Sequence, residues 1–328
     1  MRRASSIWWR PKAGHNGPGL RHLLAAIAAL LFIGTSQAMA QEEDLPEQVR
    51  FLVLYSSSST LYANIAIQEG ISSALTQADA RSRFEVYGEH RDLQRFPGAE
   101  EDRHFIHKVT RKYSDDTLDA VLTVGPKALS LAITHQDRFA PGLPIVFGGV
   151  DSEDLRGFDL PPNAYGVFGS FDLVGTLELA RALQPDATRV AIFTGSAAFD
   201  QSWKASAEQQ LAGLAELDVT HLSDLTLEEF RDAAAALDRD TIAIVLTIFR
   251  DAAGRLFTPV EAAVTLAEVS GTPVYGVYDT YVGCGLVGGH FSTFQSLGTA
   301  LTETALQLVD DPTNVSQTIE VPASSVLD

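Results

Sequence analysis

The sequence predicts an α/β protein of two doubly wound lobes, and three observations carry that reading. Short apolar runs alternate with amphipathic helical stretches from residue 49 onward. The alternation fails once, between Asp151 and Gly169, where Gly157, Pro161, Pro162, Asn163 and Gly166 cluster, and then resumes. The chain has 328 residues, more than a single core of ordinary size accommodates. Buried runs joined by helices imply parallel sheets with right-handed crossovers, whose ligand sites lie at the carboxyl ends of the strands. Two such lobes would face each other across a cleft, with 151–169 as a hinge or crossover.

In the first run, Val49–Tyr55 is a continuous apolar strand followed by the polar turn Ser56–Thr60. The next helix carries Leu61, Ile65, Ile67, Ile71 and Leu75 within about half its circumference, a stripe suited to packing on a sheet. Phe84–Tyr87, Ala120–Val124 and Ile145–Phe147 read as strands; Glu100–Tyr113 and Ala128–Gln136 read as helices. In the second run the helices are Asp172–Leu183 and Ser202–Leu214, and the strands are Val190–Phe193, Val219–Leu222, Ile242–Phe249 and Val274–Val277. Thr226-x-x-Glu229 and Thr258-Pro259-x-Glu261 are capping boxes that mark two helix starts, the first flanked by a Leu225/Phe230 staple. Phe294, Leu297, Leu301, Ala305 and Leu308 define a last amphipathic helix, and Gln317–Val321 a terminal strand.

Composition bounds the function. Arg2, Arg3, Arg10, Lys12 and Arg21 precede the apolar run Leu23–Ile33, and Ala38-Met39-Ala40 is a small-x-small cleavage site, so residues 1–40 read as a secretory signal peptide and 41–48 as a linker. The run is shorter than the roughly 20 residues that span a bilayer, which makes an uncleaved anchor the weaker reading. Removing those five basic residues takes the formal charge from −18 to −23. So acidic a chain argues against nucleic acid or an anionic membrane as partner. One cysteine, Cys284, excludes an internal disulfide and a Cys-based metal cluster, and an exported chain of this kind suits the bacterial periplasm.

Motifs of covalent or cofactor chemistry are weak. Gly283-x-Gly285-x-x-Gly288 matches a dinucleotide fingerprint by letter, but His290-Phe291-Ser292-Thr293-Phe294 follows it, with no helix start in place to hold a pyrophosphate. His104 and His107, three apart beside Glu100 and Glu101, have the spacing of two metal ligands, yet a solvated charged helix face accounts for them as well. The serine run 56–59 has no evident partner base, no Gly-x-Ser-x-Gly is present, and Cys284 beside His290 is a small residue between glycines. No cofactor, metal or catalytic group is therefore expected.

Polar and aromatic residues at strand ends form the more coherent set. Tyr55, Ser57 and Ser58 follow the first strand, and Ser196, Phe199 and Asp200 follow the first strand of the second lobe. Arg250 follows the apolar strand at 242–249, while Tyr278, Asp279 and Tyr281 follow the last. Aromatic faces with a few directed charges suit a small organic ligand. Arg250 would hold a carboxylate and Asp279 an ammonium or hydroxyls, an amino-acid-like pattern. Alternatively, Arg250 pairs with Asp251 or Asp279 as structure.

The stretches Phe51–Ser56, Pro144–Asp151, Phe249-Arg250-Asp251 and Pro273–Tyr281, with Gly285–Gly289, resemble the substrate-binding proteins of ABC transporters related to tryptophan and tyrosine uptake, within the type I periplasmic binding fold. The likeness covers essentially all of 49–328 and extends to the extracytoplasmic sensor halves of certain bacterial histidine kinases. It implies crossovers near 151–169, 288–293 and 312–317, with helix 294–309 returning to the first lobe and the terminal strand to the second. The lobes would then be 49–158 plus 290–313 and 159–289 plus 314–328, and Asp279 would sit at the ligand. The expected function is periplasmic ligand binding for an ABC permease in the inner membrane; the alternatives are ligand sensing coupled to a kinase and, more remotely, a secreted α/β enzyme. The kinase pattern continues into a second membrane span, whereas this sequence ends at Asp328, as a free-standing binding protein or a truncated sensor would.

Overall fold

Both runs of alternating elements close into parallel sheets in the computed structural model, which describes residues 48–78, 83–114, 117–150, 154–213 and 217–328. The expected signal peptide and residues 41–47 of the linker lie outside the described residues, as does Asp151. The first run comprises β1 (Gln48–Tyr55), α1 (Tyr62–Gln77), β2 (Arg83–His90), α2 (Ala99–Tyr113), β3 (Ala120–Val124), α3 (Pro126–His135), β4 (Ile145–Gly148) and β5 (Ala164–Gly169). The second comprises α4 (Leu173–Leu183), β6 (Arg189–Phe193), α5 (Ala198–Leu211), β7 (Asp218–Leu222), α6 (Leu227–Ala235), β8 (Thr241–Val245), α7 (Pro259–Ala267) and β9 (Val274–Gly276). The chain ends with β10 (Gly288–Phe291), α8 (Phe294–Asp310), β11 (Thr318–Val321) and β12 (Ser324–Leu327).

The first sheet has the order β11-β5-β4-β3-β1-β2 and the second β7-β6-β8-β9, with every pair parallel. The packing of strand β1 explains why its sequence is apolar from Phe51 to Tyr55. Phe51, Val53 and Tyr55 face one core, shared with Ile67 and Ile71 of α1 and Leu297 and Leu301 of α8. Leu52 and Leu54 face the other, with Phe105, Ile106 and Val109 of α2. Successive side chains point to opposite faces, and helices cover both, so the buried run 51–55 is apolar, while Gln48 and Arg50 sit at the half-buried start of the strand. Helices α1 and α8 pack backbone to backbone: a Cβ on Gly298 would lie 2.2 Å from the Ile67 carbonyl oxygen, and one on Gly70 2.0 Å from that of Gln295.

The first and third crossovers fall later than the sequence places them, whereas the second, at Ser292, lies within 288–293. Residues 159–169 are not a link into the second lobe: β5 lies within them and pairs with β4 in the first sheet. Its glycines concealed it, yet Gly166 is required, because a Cβ there would lie 2.5 Å from the Phe168 ring and 2.8 Å from that of Phe147. The strand at 317–321 is likewise not in the second lobe; as β11 it extends the first sheet beside β5. Only β12 returns to the second lobe, pairing antiparallel with β10. The three connections meet at Ser292, whose N–H donates to the Ser170 carbonyl (2.7 Å) and whose Oγ accepts from Ser170 N–H (2.9 Å) and donates to the Val321 carbonyl (2.7 Å). Glycines 283, 285 and 288 have positive φ and lead into a strand, so the letter match to a dinucleotide motif is a turn.

Two elements end elsewhere than expected, for one reason. Helix α5 begins at Ala198, four residues before the sequence estimate, because Asp200 accepts the Ala197 N–H at 3.0 Å and caps it. Strand β8 stops at Val245 although the apolar run continues to Phe249, because the same carboxylate takes the Phe249 N–H (3.1 Å) out of the ladder and holds the Thr247 hydroxyl (2.7 Å) beside it. Both capping boxes form as read: Glu229 accepts from Thr226 N–H at 2.8 Å and Glu261 from Thr258 N–H at 2.9 Å.

Candidate functional site

In each sheet the chain order reverses at one pair of neighbouring strands, β1/β3 in the first and β6/β8 in the second. Such switch points leave a crevice at the carboxyl ends of the strands, because the loops leave in opposite directions. Both crevices open into one cavity of about 360 Å³. Ser56 and Ser57 after β1, and Gly125, Pro126 and Lys127 after β3, form the first-lobe wall; Ala198 and Phe199 after β6, and Thr247 and Phe249 after β8, form the second. Phe171, Tyr278 and Phe294, beside the crossovers, complete it.

The first-lobe wall sets a tightly braced group of polar side chains among apolar ones such as Leu61, Ile67 and Leu93. Ser56 Oγ accepts the Ala128 N–H at 2.9 Å. A Cβ on Gly125 (φ +88°) would lie 2.7 Å from that oxygen, so this loop admits only glycine. Gln94 donates to Ser57 Oγ at 3.0 Å, and Asn64 to the Ser58 carbonyl at 2.7 Å. Lys127 Nζ sits 3.1 Å from Asp102, whose other oxygen takes the Arg91 guanidinium at 2.6 Å. Burial pushes the Asp102 carboxyl up, but the hydrogen bonds from Arg91 and Lys127 outweigh it and hold the group below its ordinary value.

The second-lobe wall is aromatic. Tyr278 and Phe294 stack with centroids 5.4 Å apart, Phe171 lies 4.8 Å from Tyr278, and Phe199 meets Phe249 edge-on at 5.7 Å. Rings held against one another lose little freedom when a ligand packs on them.

Of the residues singled out in the sequence, Ser57, Phe199 and Tyr278 line this cavity. The others are placed apart from it. Tyr55 is buried in the first core, stacked on His90 at 4.4 Å, and burial pushes its hydroxyl up to about 12. Ser58 bonds to Thr60 in the turn, and Ser196 donates to the Asp251 carbonyl at 2.9 Å. Asp200 is fully buried, its carboxyl pushed up to about 6 by desolvation against the opposing hydrogen bonds. Arg250 bridges to Leu256 through its backbone, and the neighbouring Asp251 pairs with Arg255 instead. Asp279 accepts the Phe294 N–H at 2.9 Å at the start of α8, with its carboxyl raised by burial. Tyr281 is buried and donates to the Leu246 carbonyl at 2.6 Å, its hydroxyl raised well above the ordinary value by burial.

The sequence reading passed over Gln94, Lys127, Phe171, Phe249 and Phe294, which do line the cavity. Lys127 was within reach of it, since Gly125-Pro126-Lys127 follows a strand end as Ser57 does. His104 and His107 are exposed on α2, and among the described residues no cluster of three His, Cys, Asp or Glu side chains is placed to hold a metal ion. No helix among the described residues is long and apolar enough to cross a membrane.

No protein-family model matches the chain, and no curated protein matches it. Solved structures do. A ligand-free, open substrate-binding protein with adhesive properties from Clostridium difficile superposes with a TM-score of 0.61 at 14% identity, over 85% of this chain and 92% of that one. An ABC domain in complex with L-Trp from Streptococcus pneumoniae gives 0.58 at 15%, over 85% and 92%. An ABC transporter periplasmic solute-binding protein from Actinobacillus succinogenes with bound D-allose gives 0.54 at 15%, over 85% and 97%. At these identities the likeness establishes the fold, that of the two-lobed periplasmic binding proteins, and leaves the ligand open.

Proposed function

We propose that the protein is a periplasmic solute-binding protein that closes its two lobes on a small organic ligand and presents it to an ABC-type permease. The observation that carries this reading is the single cavity walled by the switch points of both sheets, with the crossover segments at Ser170, Ser292 and Val321 beside it. Closure would be a hinge rotation about those segments, and the ligand's contacts with both walls would supply the difference in affinity between open and closed states. The cavity holds a molecule of metabolite size, and the reading assigns the protein no chemistry of its own. A sensor that reports occupancy to a kinase would use the same closure; the partner gene beside it distinguishes the two.

The test is a thermal-shift screen of the purified protein against amino acids, organic acids and sugars. A ligand at a hundredfold excess over its Kd adds about 2.7 kcal/mol and raises Tm by several degrees. The shift should weaken in Phe199→Ala, and small-angle scattering should show compaction on binding. A screen in which no metabolite shifts Tm would remove the proposal.

A further inference from the structure

The ligand class can be narrowed from the charge balance of the cavity, an inference that rests on reading that cavity as the ligand site. Among the described residues that line it, Lys127 is the one charged side chain. It is not fully neutralised where it stands. Asp102 is shared between Lys127 and the buried Arg91, whose remaining donors go to the Phe96 and Gly98 carbonyls, so two cations hold one carboxylate and the cluster keeps an excess positive charge at the first-lobe wall.

The helix starts point the same way, on the same wall. The first turns of α1, α3, α5, α7 and α8 all reach the cavity. Three of these starts carry their own carboxylate: Asp200 at α5, Glu261 at α7 and Asp279 at α8. The other two, α1 and α3, have no acidic residue in the first turn and no cap from their own N-cap residue; the neutral Ser56 hydroxyl takes one α3 N–H, that of Ala128, and both helices belong to the first lobe beside Lys127. The partial positive charge of a helix N-terminus is thus offset on the aromatic wall and left standing on the polar one. Ser57 Oγ, which accepts from Gln94, keeps its own proton to donate into the same space.

An α-amino acid fits this arrangement poorly. Its ammonium would need an acceptor, and the one assigned to that task from the sequence, Asp279, is off the lining: its Oδ2 accepts the Phe294 N–H and its Oδ1, although unpaired, is buried. The rings would offer an ammonium cation–π attraction, but no lining carboxylate is there to offset its desolvation, and Lys127 would repel it. We propose that the cavity takes an organic carboxylate with an apolar body and no ammonium group, its carboxylate toward Lys127 and the Ser56–Ser57 turn and its body among Phe171, Phe199, Phe249 and Tyr278.

Isothermal titration calorimetry with matched probes tests this. Each acid is compared with its amide and with the amino acid of the same skeleton: 3-phenylpropionate with L-phenylalanine, indole-3-propionate with L-tryptophan, and 4-methylpentanoate with L-leucine. The acid of at least one set should bind about 10-fold or more tightly than both companions, the difference a charge-assisted hydrogen bond makes. Lys127→Met keeps the aliphatic stem and leaves Asp102 paired with Arg91; it should erase the preference for acid over amide. An amino acid or amide that binds as tightly as its acid overturns the proposal, as does an unchanged preference in Lys127→Met. A sugar or amino acid whose binding is lost in Phe199→Ala would overturn the ligand class and keep the binding function. Silence from every acid, amide, amino acid and sugar overturns both.

Discussion

Substituting Asp200 by alanine would strip the Thr247 hydroxyl and the backbone N–H groups of Ala197, Phe249 and Arg250 of their common acceptor, at distances of 2.7, 3.0, 3.1 and 3.4 Å. The hydroxyl can turn elsewhere and the Arg250 contact is long, which leaves two backbone donors buried and unpaired. At about 1–3 kcal/mol each, with the lost packing, the expected cost is about 3–5 kcal/mol. Asparagine separates this structural role from the charge. Its carbonyl can take the position that faces the N–H groups, and its amide can donate to Thr247, so it imitates the protonated acid.

Burial raises the folded-state pKa of Asp200 from 3.8 to about 6. The native state then binds this proton more tightly than the unfolded chain does. Its contribution to stability is fully present below pH 4 and is lost as pH rises through 6, a span worth about 3 kcal/mol. Urea unfolding of wild type and Asp200→Asn from pH 4 to 7 isolates it, because the difference between the two cancels the titration of other carboxylates. Wild type should lose about 2–2.5 kcal/mol relative to Asp200→Asn over that range, and Asp200→Ala should be the least stable of the three throughout. A wild-type-minus-Asn difference that stays flat with pH, or an alanine variant within 1 kcal/mol of wild type, refutes the reasoning.

Three further outcomes are expected. Asp279→Ala should lower the apo stability by about 1 kcal/mol, the usual worth of a side chain that satisfies a helix N-terminal N–H, while the ligand-induced shift in Tm survives; loss of that shift with unchanged apo stability would return Asp279 to the ligand. Phe199→Ala, at the cavity wall, should weaken ligand binding about 10-fold by calorimetry and change the apo Tm little, since the residue is half-exposed. Gly298→Ala should cost about 1–3 kcal/mol in urea unfolding, because its Cβ would lie 2.2 Å from the Ile67 carbonyl oxygen and the two helices must part to admit it.

What the sequence made legible was local. The apolar run of β1, the stripe of α8 and the boxes at Thr226 and Thr258 each follow from neighbours within a few residues, and each stands as read. Strand β5 was lost because its glycines mean the opposite of what glycine usually signals: Gly166 makes room for Phe147 and Phe168, rings that meet it only in the folded sheet. Tyr55 was recoverable, since the alternation that puts Phe51 and Val53 in one core puts Tyr55 there too. Asp200 and Asp279 were not, because a carboxylate at a strand end looks alike in sequence whether it waits for a ligand or is spent on a backbone N–H.

That ambiguity bears on the sign of the site. An overall charge of −18 describes the surface and says nothing of the cavity. The acidic residues nearest the cleft from the second lobe and the crossover lie at helix starts and accept from backbone N–H groups, as Asp200, Glu261 and Asp279 do, and none of them lines the cavity; the second oxygen of Asp279 is buried without a partner. The first lobe supplies no such acid to α1 or α3, and its one carboxylate near the wall, Asp102, is held between two cations. A strongly acidic chain thereby arrives at a cavity whose only formal charge among the described lining residues is positive. Pairing each charge with the group that already neutralises it, before counting what remains, is what turns the expected amino-acid pocket into one suited to a carboxylate alone.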